Sequence, residues 1–509
     1  MRIGTNVAAI VANNALQKSQ NNLSTSIERL SSGYKINGSK DDAAGCAISE
    51  KMRAQIRGLS QAQNNTADGV SVLNTAEGAI TEIQSMLTRL KELSVQAAND
   101  VNSDDEREAI QKEIEQINNE IDRISDQTEF NTQSLINGNL SRRVYSDLQG
   151  VNQLSVSDSY TAGVYGITVT EDARQAIAIG AGSITMSSTA SITEEQAGAI
   201  NINGYKISIS EGDTLDKVMG KIIDGVNITG GSAFTVKDLN NDTAANGTDY
   251  AGYVPTADYA GSTLVIMTNQ YGSDQKMNIT CDNAELADIL GIPQAATQDG
   301  IYVEGSDVKA EIATGDDGKR IGFADSAILS TKGTVITVTD VNNKEFSMDV
   351  PGNAAGTVFD DSNNDGQSVA GAGTARTISQ EVTDVGTMSI HVGANQDQVI
   401  VIDIPAITTY SLGTEHMNVM TQYTASRAIS TVDEAINKTN KIRSRIGAYE
   451  NRFDHTTNNL EVSSENLTKS LSTMIDTDMS EEMTTYTSET VLTQAATSIL
   501  AQANERPSQ

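Results

Sequence analysis

Three histidines and two cysteines are the imidazoles and thiols that a 509-residue chain offers for metal or nucleophilic chemistry. His391, His416 and His455 form no HExxH pair, and Glu415-His416 lacks the second histidine a zinc protease requires. Cys46 and Cys281 stand far apart without a CxxC spacing, and they read as small buried or half-buried thiols. Two acidic loops imitate calcium sites. Asp361, Asn363, Asp365 and Gly366 match the first half of an EF-hand loop, but Ala372 stands where the bidentate carboxylate belongs. Asp238, Asn240 and Asp242 repeat the pattern, with Thr243 in place of the turn glycine. No Walker A, GxGxxG or GxSxG segment is present. These residues call for no catalytic group, cofactor or metal, and an enzyme is not expected.

The adjacent acids Asp41 and Asp42 have a local explanation. They lie in LSSGYKINGSKDDAAGCAIS (Leu30–Ser49), small, polar and punctuated by glycine. Gly33 is placed to end one helix. Ser39 is expected to cap the next, with Asp42 three residues later at capping-box spacing. Both acids then favour the positive end of a helix running through Ile48, Met52 and Ile56. The stretch reads as a hinge built on Gly33, Asn37, Asp41 and Asp42.

The elements on either side are long helices. Ile80, Ile83, Leu87 and Leu90 step by three and four, as do Ile110, Ile114, Ile117, Ile121 and Ile124. That is a coiled-coil seam, interrupted at Asn102-Ser103-Asp104-Asp105, a stretch that can cap a second, antiparallel helix. The far end mirrors it with Ile429, Val432, Ile436 and Ile442, then Leu460, Leu467, Leu471, Met474 and Ile475, then Val491, Leu492, Ala496, Ile499 and Ala503. The first thirty residues carry Ile3, Val7 and Ile10, then Leu23, Ile27 and Leu30. A short amphipathic helix needs a partner, and the simplest partner for one end of the chain is the other. The middle must then leave as an insert. Its alternating runs Tyr205–Ser210, Thr263–Thr268 and Thr334–Asp340 read as half-buried strands, with one helix over Thr214–Val226.

Charge follows the same division. The formal charge is −32, and most of the acidic excess lies between residues 141 and 420. Such a surface repels nucleic acid and anionic membranes. No apolar run reaches the roughly 18 residues of a membrane-spanning helix, and Val7–Ala12 is too short for an ordinary cleavable signal. The fold class is therefore multidomain α+β: paired long helices from the two termini, with a mainly β, surface-exposed central insert.

LSSGYKINGSKDDAAGCAISEKM, AEGAITEIQSMLTRLKELSVQAAND (Ala76–Asp100) and NEIDRISDQTEFNTQSLING (Asn119–Gly138) resemble the N-terminal part of bacterial flagellins. VGANQDQ (Val392–Gln398), IRSRIGAYENRF (Ile442–Phe453) and ILAQAN (Ile499–Asn504) resemble their C-terminal part. The resemblance implies an inner coiled coil from 1–42 and 457–509, a rod domain from 43–175 and 386–456, and variable outer domains over 176–385. It implies assembly into the flagellar filament through Ile3, Val7, Ile10, Leu23, Ile27, Leu471, Ile475, Leu492 and Ile499. The hinge would also touch neighbouring subunits. The implied partners are further copies of the chain, an export chaperone, the filament cap and hook-associated proteins, and host Toll-like receptor 5. The implied location is the extracellular filament, reached by export in the unfolded state. The receptor patch carries over as Arg89, Glu92, Leu93, Gln96 and Glu113, whereas Lys91 and Ile117 replace arginines common in receptor-active members. A short apolar tail usually follows the segment that here ends at ERPSQ (Glu505–Gln509). A hook–filament junction protein, which shares the terminal helices, is the alternative.

Overall fold

A computed structural model describes residues 6–505 apart from 158–159, 181, 238–258, 260, 293–299, 316–317, 341–343, 353, 355–358, 361–368, 371–374 and 384. Ile3, the two acidic loops at 238–243 and 361–366, and the last four residues lie outside the described residues. The described chain forms two compact units, one of 1–71, 389–400 and 450–509, the other of 72–388 and 401–449.

In the first unit, α1 (Val7–Ser32) pairs with α8 (Met479–Glu505). Asn6 caps α1 through its side chain, and Gly33 ends it at φ +76° with its N–H on the Arg29 carbonyl. A left-handed residue here is cheap only for glycine. α2 (Ala43–Ala97) and α7 (Gln422–Ile475) run through both units. Within the first unit, Leu59 and Ala62 pack against Leu460, and Gly69 leaves room for the Phe453 ring. A Cβ on Gly69 would stand 3.0 Å from that ring. The hairpin Met388–His391/Val399–Ile402 reaches α2 here: Asn65 donates to the His391 carbonyl at 3.0 Å.

In the second unit, α2 buries Leu73, Ala76, Ile80, Ile83, Leu87, Leu90, Leu93 and Ala97. α3 (Asp104–Gln127) starts at a complete capping box, Ser103 with Glu106, as its sequence calls for. Arg107 is buried and donates to the Ala97 and Asn99 carbonyls, satisfying the end of α2. The buried stripe of α3 is Arg107, Ile110, Ile114, Asn118, Ile121 and Ser125. Ile117 and Ile124, expected in the seam, are only half-buried. A straight helix turns every 3.6 residues, so a 3.5-residue pattern drifts out of the contact over several turns.

The insert is two modules. In the first, the sheets Lys309–Ile312/Gly163–Glu171/Arg376–Val382/Val144–Ser146 and Ile328–Lys332/Val335–Thr339/Glu345–Asp349/Asn152–Val156 are antiparallel and share one core. Ile167 and Ile378 meet Ile336, Val338, Phe346 and Met348 in it. Tyr160, Tyr165, Phe323 and Phe346 stack in that core, mostly edge to face, Tyr165 and Phe323 with centroids 5.1 Å apart. In the second module, α4 (Leu215–Ile228), capped by Thr214, and α5 (Ala284–Ile289) pack on a sheet ordered Ile301–Glu304/Lys276–Cys281/Gly198–Ile202/Tyr205–Ile209. A three-stranded sheet, Ile177–Ile179/Ser262–Thr268/Gly231–Lys237, joins it. The runs read as strands at 205, 263 and 334 are all strands here. Cys281 lies in this core, where burial pushes its thiol up. No helix among the described residues is long and apolar enough to cross a membrane. The α+β class with helical ends and a β-rich middle is as the sequence reads.

Candidate functional site: assembly and recognition surfaces

The seam between α1 and α8 is polar. Ser19 donates to Glu489 Oε2 at 2.6 Å and Asn22 to its Oε1 at 2.9 Å. One heptad further along, Ser26 donates to Glu482 Oε1 at 2.6 Å, with Arg29 at 3.7 Å from the same carboxylate. Asn6 closes the other end on the Ala503 carbonyl at 2.8 Å. The buried residues of α1 are Ala12, Leu16, Ser19 and Ser26. Small side chains let the two helices approach closely, and the hydrogen bonds to Ser19 and Asn22 hold the Glu489 carboxyl below its ordinary range.

Five of the apolar residues singled out as the assembly stripe are exposed instead of lying in this seam. Val7 is 65% exposed, Ile10 50%, Leu492 51% and Ile499 57%, and Ile27 is exposed with them. Leu23 and Leu471 are half-buried, and Ile475 is buried. The expectation that the two ends pair is met, but the stripes do not pair with each other. A groove on α8 lined by Met483, Thr487, Val491 and Leu492 lies open.

The hinge is a tie between both chain ends. Lys35 N–H donates to the Ile475 carbonyl at 2.6 Å, and Thr477 N–H to the Gly33 carbonyl at 3.0 Å. Tyr34 and Asp476 thus form an antiparallel bridge. Asp41 accepts the Asn37 N–H at 3.0 Å. Asp42, rather than Ser39, caps α2: its Oδ1 accepts the N–H groups of Ala44 and Gly45, each at 3.0 Å. The three-residue spacing from Ser39 is real, but the helix begins at Ala43, one residue after Asp42.

On the surface of the helix bundle, Arg89 bridges two helices. Its Nη2 lies 2.8 Å from Glu113 Oε1 on α3, and its Nη1 lies 3.1 Å from Glu92 Oε2 one turn along α2. Glu113 first, then Glu92, hold its guanidinium more firmly protonated. Gln96 is exposed beside them. Leu93 is 1% exposed and lies in the helix packing beneath this surface. The structure thus brings Arg89, Glu92 and Glu113 into direct contact, with Leu93 as their support.

Sequence reasoning that followed apolar residues missed a second set at heptad spacing. Gln111 on α3 pairs with both the Met417 carbonyl and the Val419 N–H, at 3.0 Å each. Asn118 donates to the Thr414 carbonyl at 2.8 Å. Asp122 accepts the Thr409 N–H at 2.8 Å and its hydroxyl at 2.6 Å. This ladder fixes the irregular return from the insert, including α6 (Thr409–Leu412), to α7. On α2, Glu77, Gln84 and Lys91 meet Arg443, Asn440 and Asp433 of the antiparallel α7. A search for polar residues seven apart would have found Ser19/Ser26, Glu482/Glu489, Gln111/Asn118 and Glu77/Gln84/Lys91.

A long-helix scaffold with outward apolar faces at its ends and a β insert defines a filament-forming structural protein. Residues 3–141 match the bacterial flagellin N-terminal helical region, and 429–509 the C-terminal helical region. The flagellin of Salmonella typhimurium is 31% identical over 530 residues, covering 99% of this chain and 98% of its own. Polar flagellin A of Vibrio parahaemolyticus is 29% identical over 509 residues, covering 100% and 98%. The flagellin of Clostridium tyrobutyricum is 29% identical over 501 residues, covering 98% of each. The chain belongs to the bacterial flagellin family, whose members are structural subunits of the extracellular flagellar filament.

Proposed function

We propose that this chain polymerises through α1 and α8 into the filament, with the hinge and lower rod adding contacts to neighbouring copies. The observation that supports this most directly is the outward apolar face carrying Val7, Ile10, Ile27, Leu492 and Ile499. Exposed apolar surface on paired helices marks a protein contact, and repetition of one contact builds a helical polymer. In this reading 1–42 and 457–509 form the inner layer, 43–175 and 386–456 the rod, and 176–385 the outer domains. The acidic insert coats the fibre and keeps filaments apart. The chain leaves the cell unfolded through the flagellar secretion system, with a chaperone on the C-terminal helix until the cap protein admits it to the growing end above the hook-associated proteins. Free Cys46 and Cys281 suit a chain that threads as a linear polymer.

Purified chain seeded with filament fragments and viewed by electron microscopy tests this. Long uniform tubes are expected. Short caps on the seed ends that do not elongate would overturn it in favour of a junction protein.

The patch Arg89, Glu92, Gln96 and Glu113, held from beneath by Leu93, is the proposed contact for Toll-like receptor 5. In a receptor reporter assay, Arg89→Ala should lower signalling with unchanged melting of the chain. Full signalling from that variant would remove the patch from the reading.

A further inference from the structure

The insert meets the helices with little apolar surface, Leu154 lining one pocket with Leu412 and Ile442. The two large insert cores are built from residues 144 to 382, without a member from α2, α3 or α7. What joins them is a row of polar contacts at seven-residue intervals on α7. Arg427 donates to Gln275 at 3.0 Å, Glu434 pairs with Lys332, and Lys441 lies 3.0 Å from Glu345. Seven residues are about two helical turns, so one contact recurs roughly every 10 Å along one side of α7. Either side of this row, Asn418 donates to the Ile228 carbonyl at 2.9 Å, and Tyr410 donates to Asp349 while accepting from Asn152 at 3.0 Å.

Two clefts open along the seam these contacts span. One, of about 370 Å³, lies between Asp100 in the turn before α3, Asp104 and Tyr423 on the helices, and Asn203, Tyr205 and Tyr302 on the insert. A second, of about 400 Å³, is lined by Asn227, Gln270, Asn418 and Arg427. Domain contacts that are neither large nor apolar leave relative motion as the default. The two ion pairs are within reach of solvent, Lys332 54% exposed, Glu434 50%, Lys441 64% and Glu345 30%, whereas Gln275, the partner of Arg427, is buried.

We propose that this row is an ionic latch, and that ionic strength sets whether the insert lies along α7 or swings free of it. The sign order along α7 is plus, minus, plus, and the insert answers with an amide, a cation and an anion. Sliding the insert by one interval would set like charges against each other, so the latch has one register. Both modules are held, since Gln275 and Ile228 belong to the α/β module and Lys332, Glu345 and Asp349 to the sandwich. Each exposed pair is weak by itself, which is what a reversible joint requires. Release leaves both insert cores and the helix bundle intact, because neither depends on the seam. The latch operates in the soluble chain and does not rest on the polymer reading.

The test is a distance across the seam in soluble full-length chain. Spin labels are placed at Asp325→Cys on the sandwich and Asn437→Cys on α7, in a Cys46→Ser background. Salt is varied from about 0.01 M to about 1 M, which shortens the screening length from ~30 Å to ~3 Å. One narrow distance is expected at low salt, and a broad, longer distribution at high salt. Lys332→Glu should give the broad distribution at low salt, and adding Glu434→Lys should restore the narrow one. A narrow distance that survives both high salt and Lys332→Glu would overturn the latch. If the substituted chains fail to fold, the salt series on the otherwise native sequence decides alone. A broad distribution at every salt concentration would equally refute it.

Discussion

The bundle of α2, α3 and α7 in the second unit and the pair α1–α8 in the first are both antiparallel helices, but their polar and apolar faces are exchanged. In the bundle, Ile80, Ile83, Leu87 and Leu90 point inward and the ion pairs, such as Arg443 with Glu77 and Lys91 with Asp433, lie towards solvent. In the terminal pair, serine hydroxyls and carboxylates share the seam with Ala12, Leu16 and Ala503, while Val7, Ile10, Ile27, Leu492 and Ile499 face out. The first arrangement stabilises one chain. The second holds two helices in register while keeping the apolar surface for another molecule. Periodicity alone does not distinguish them, because both show residues recurring at three and four.

Truncation should separate the two regions most sharply. Leu87→Ala, in the bundle, is expected to cost about 2–5 kcal/mol of unfolding free energy in denaturant titrations. Asn118→Ala should cost less, about 0.5–1.5 kcal/mol, since the Thr414 carbonyl loses the Asn118 amide but keeps the Met417 N–H. Leu492→Ala should change the melting of the soluble chain by under about 0.5 kcal/mol, yet raise the critical concentration for seeded growth. An equal loss of monomer stability from Leu87→Ala and Leu492→Ala would erase the contrast.

Acid sharpens it from the polar side. Glu489 is depressed below its ordinary value of 4.5, with Ser19 as the leading cause. A depressed carboxyl contributes stability above its unfolded-state pKa and loses it as pH falls through the folded-state value. The α1–α8 pair should therefore lose hydrogen-exchange protection, measured against the intrinsic rate at each pH, below about pH 4.5, and Glu489→Gln should flatten that dependence. The smallest effect belongs to the exposed fork: Arg89→Ala should leave the midpoint of the same denaturant titration nearly unchanged.

Much of this was written in the chain. The stop at Gly33, the start at Ser103, the seam from Ile80 to Leu90 and the strand at Thr263 follow from backbone preference and pattern. Three things did not. Ile117 and Ile124 continue a heptad that a straight helix leaves behind, so Asn118 and Ser125 are buried in their place. Ser39 has capping spacing, but a cap also needs the helix to begin right after it, and only Asp42 stands there. The outward stripes of α1 and α8 find no partner within the described chain, so an intramolecular pattern does not reveal their exposure. The receptor-patch positions came from resemblance, and only the structure showed that Leu93 lies under the charges instead of among them.

The bridge between Gly33–Lys35 and Ile475–Thr477 has a mechanical consequence. Both strands that leave the α1–α8 pair are stitched side by side before entering α2 and α7. Tension along the chain then loads two covalent backbones in parallel, and the cross-bonds between them are sheared together. Two antiparallel strands sheared along their length must break their bonds at once, whereas a peeled hairpin breaks them one at a time. A rotating shaft that pulls on its subunits would meet the stiffer of these two responses at this joint.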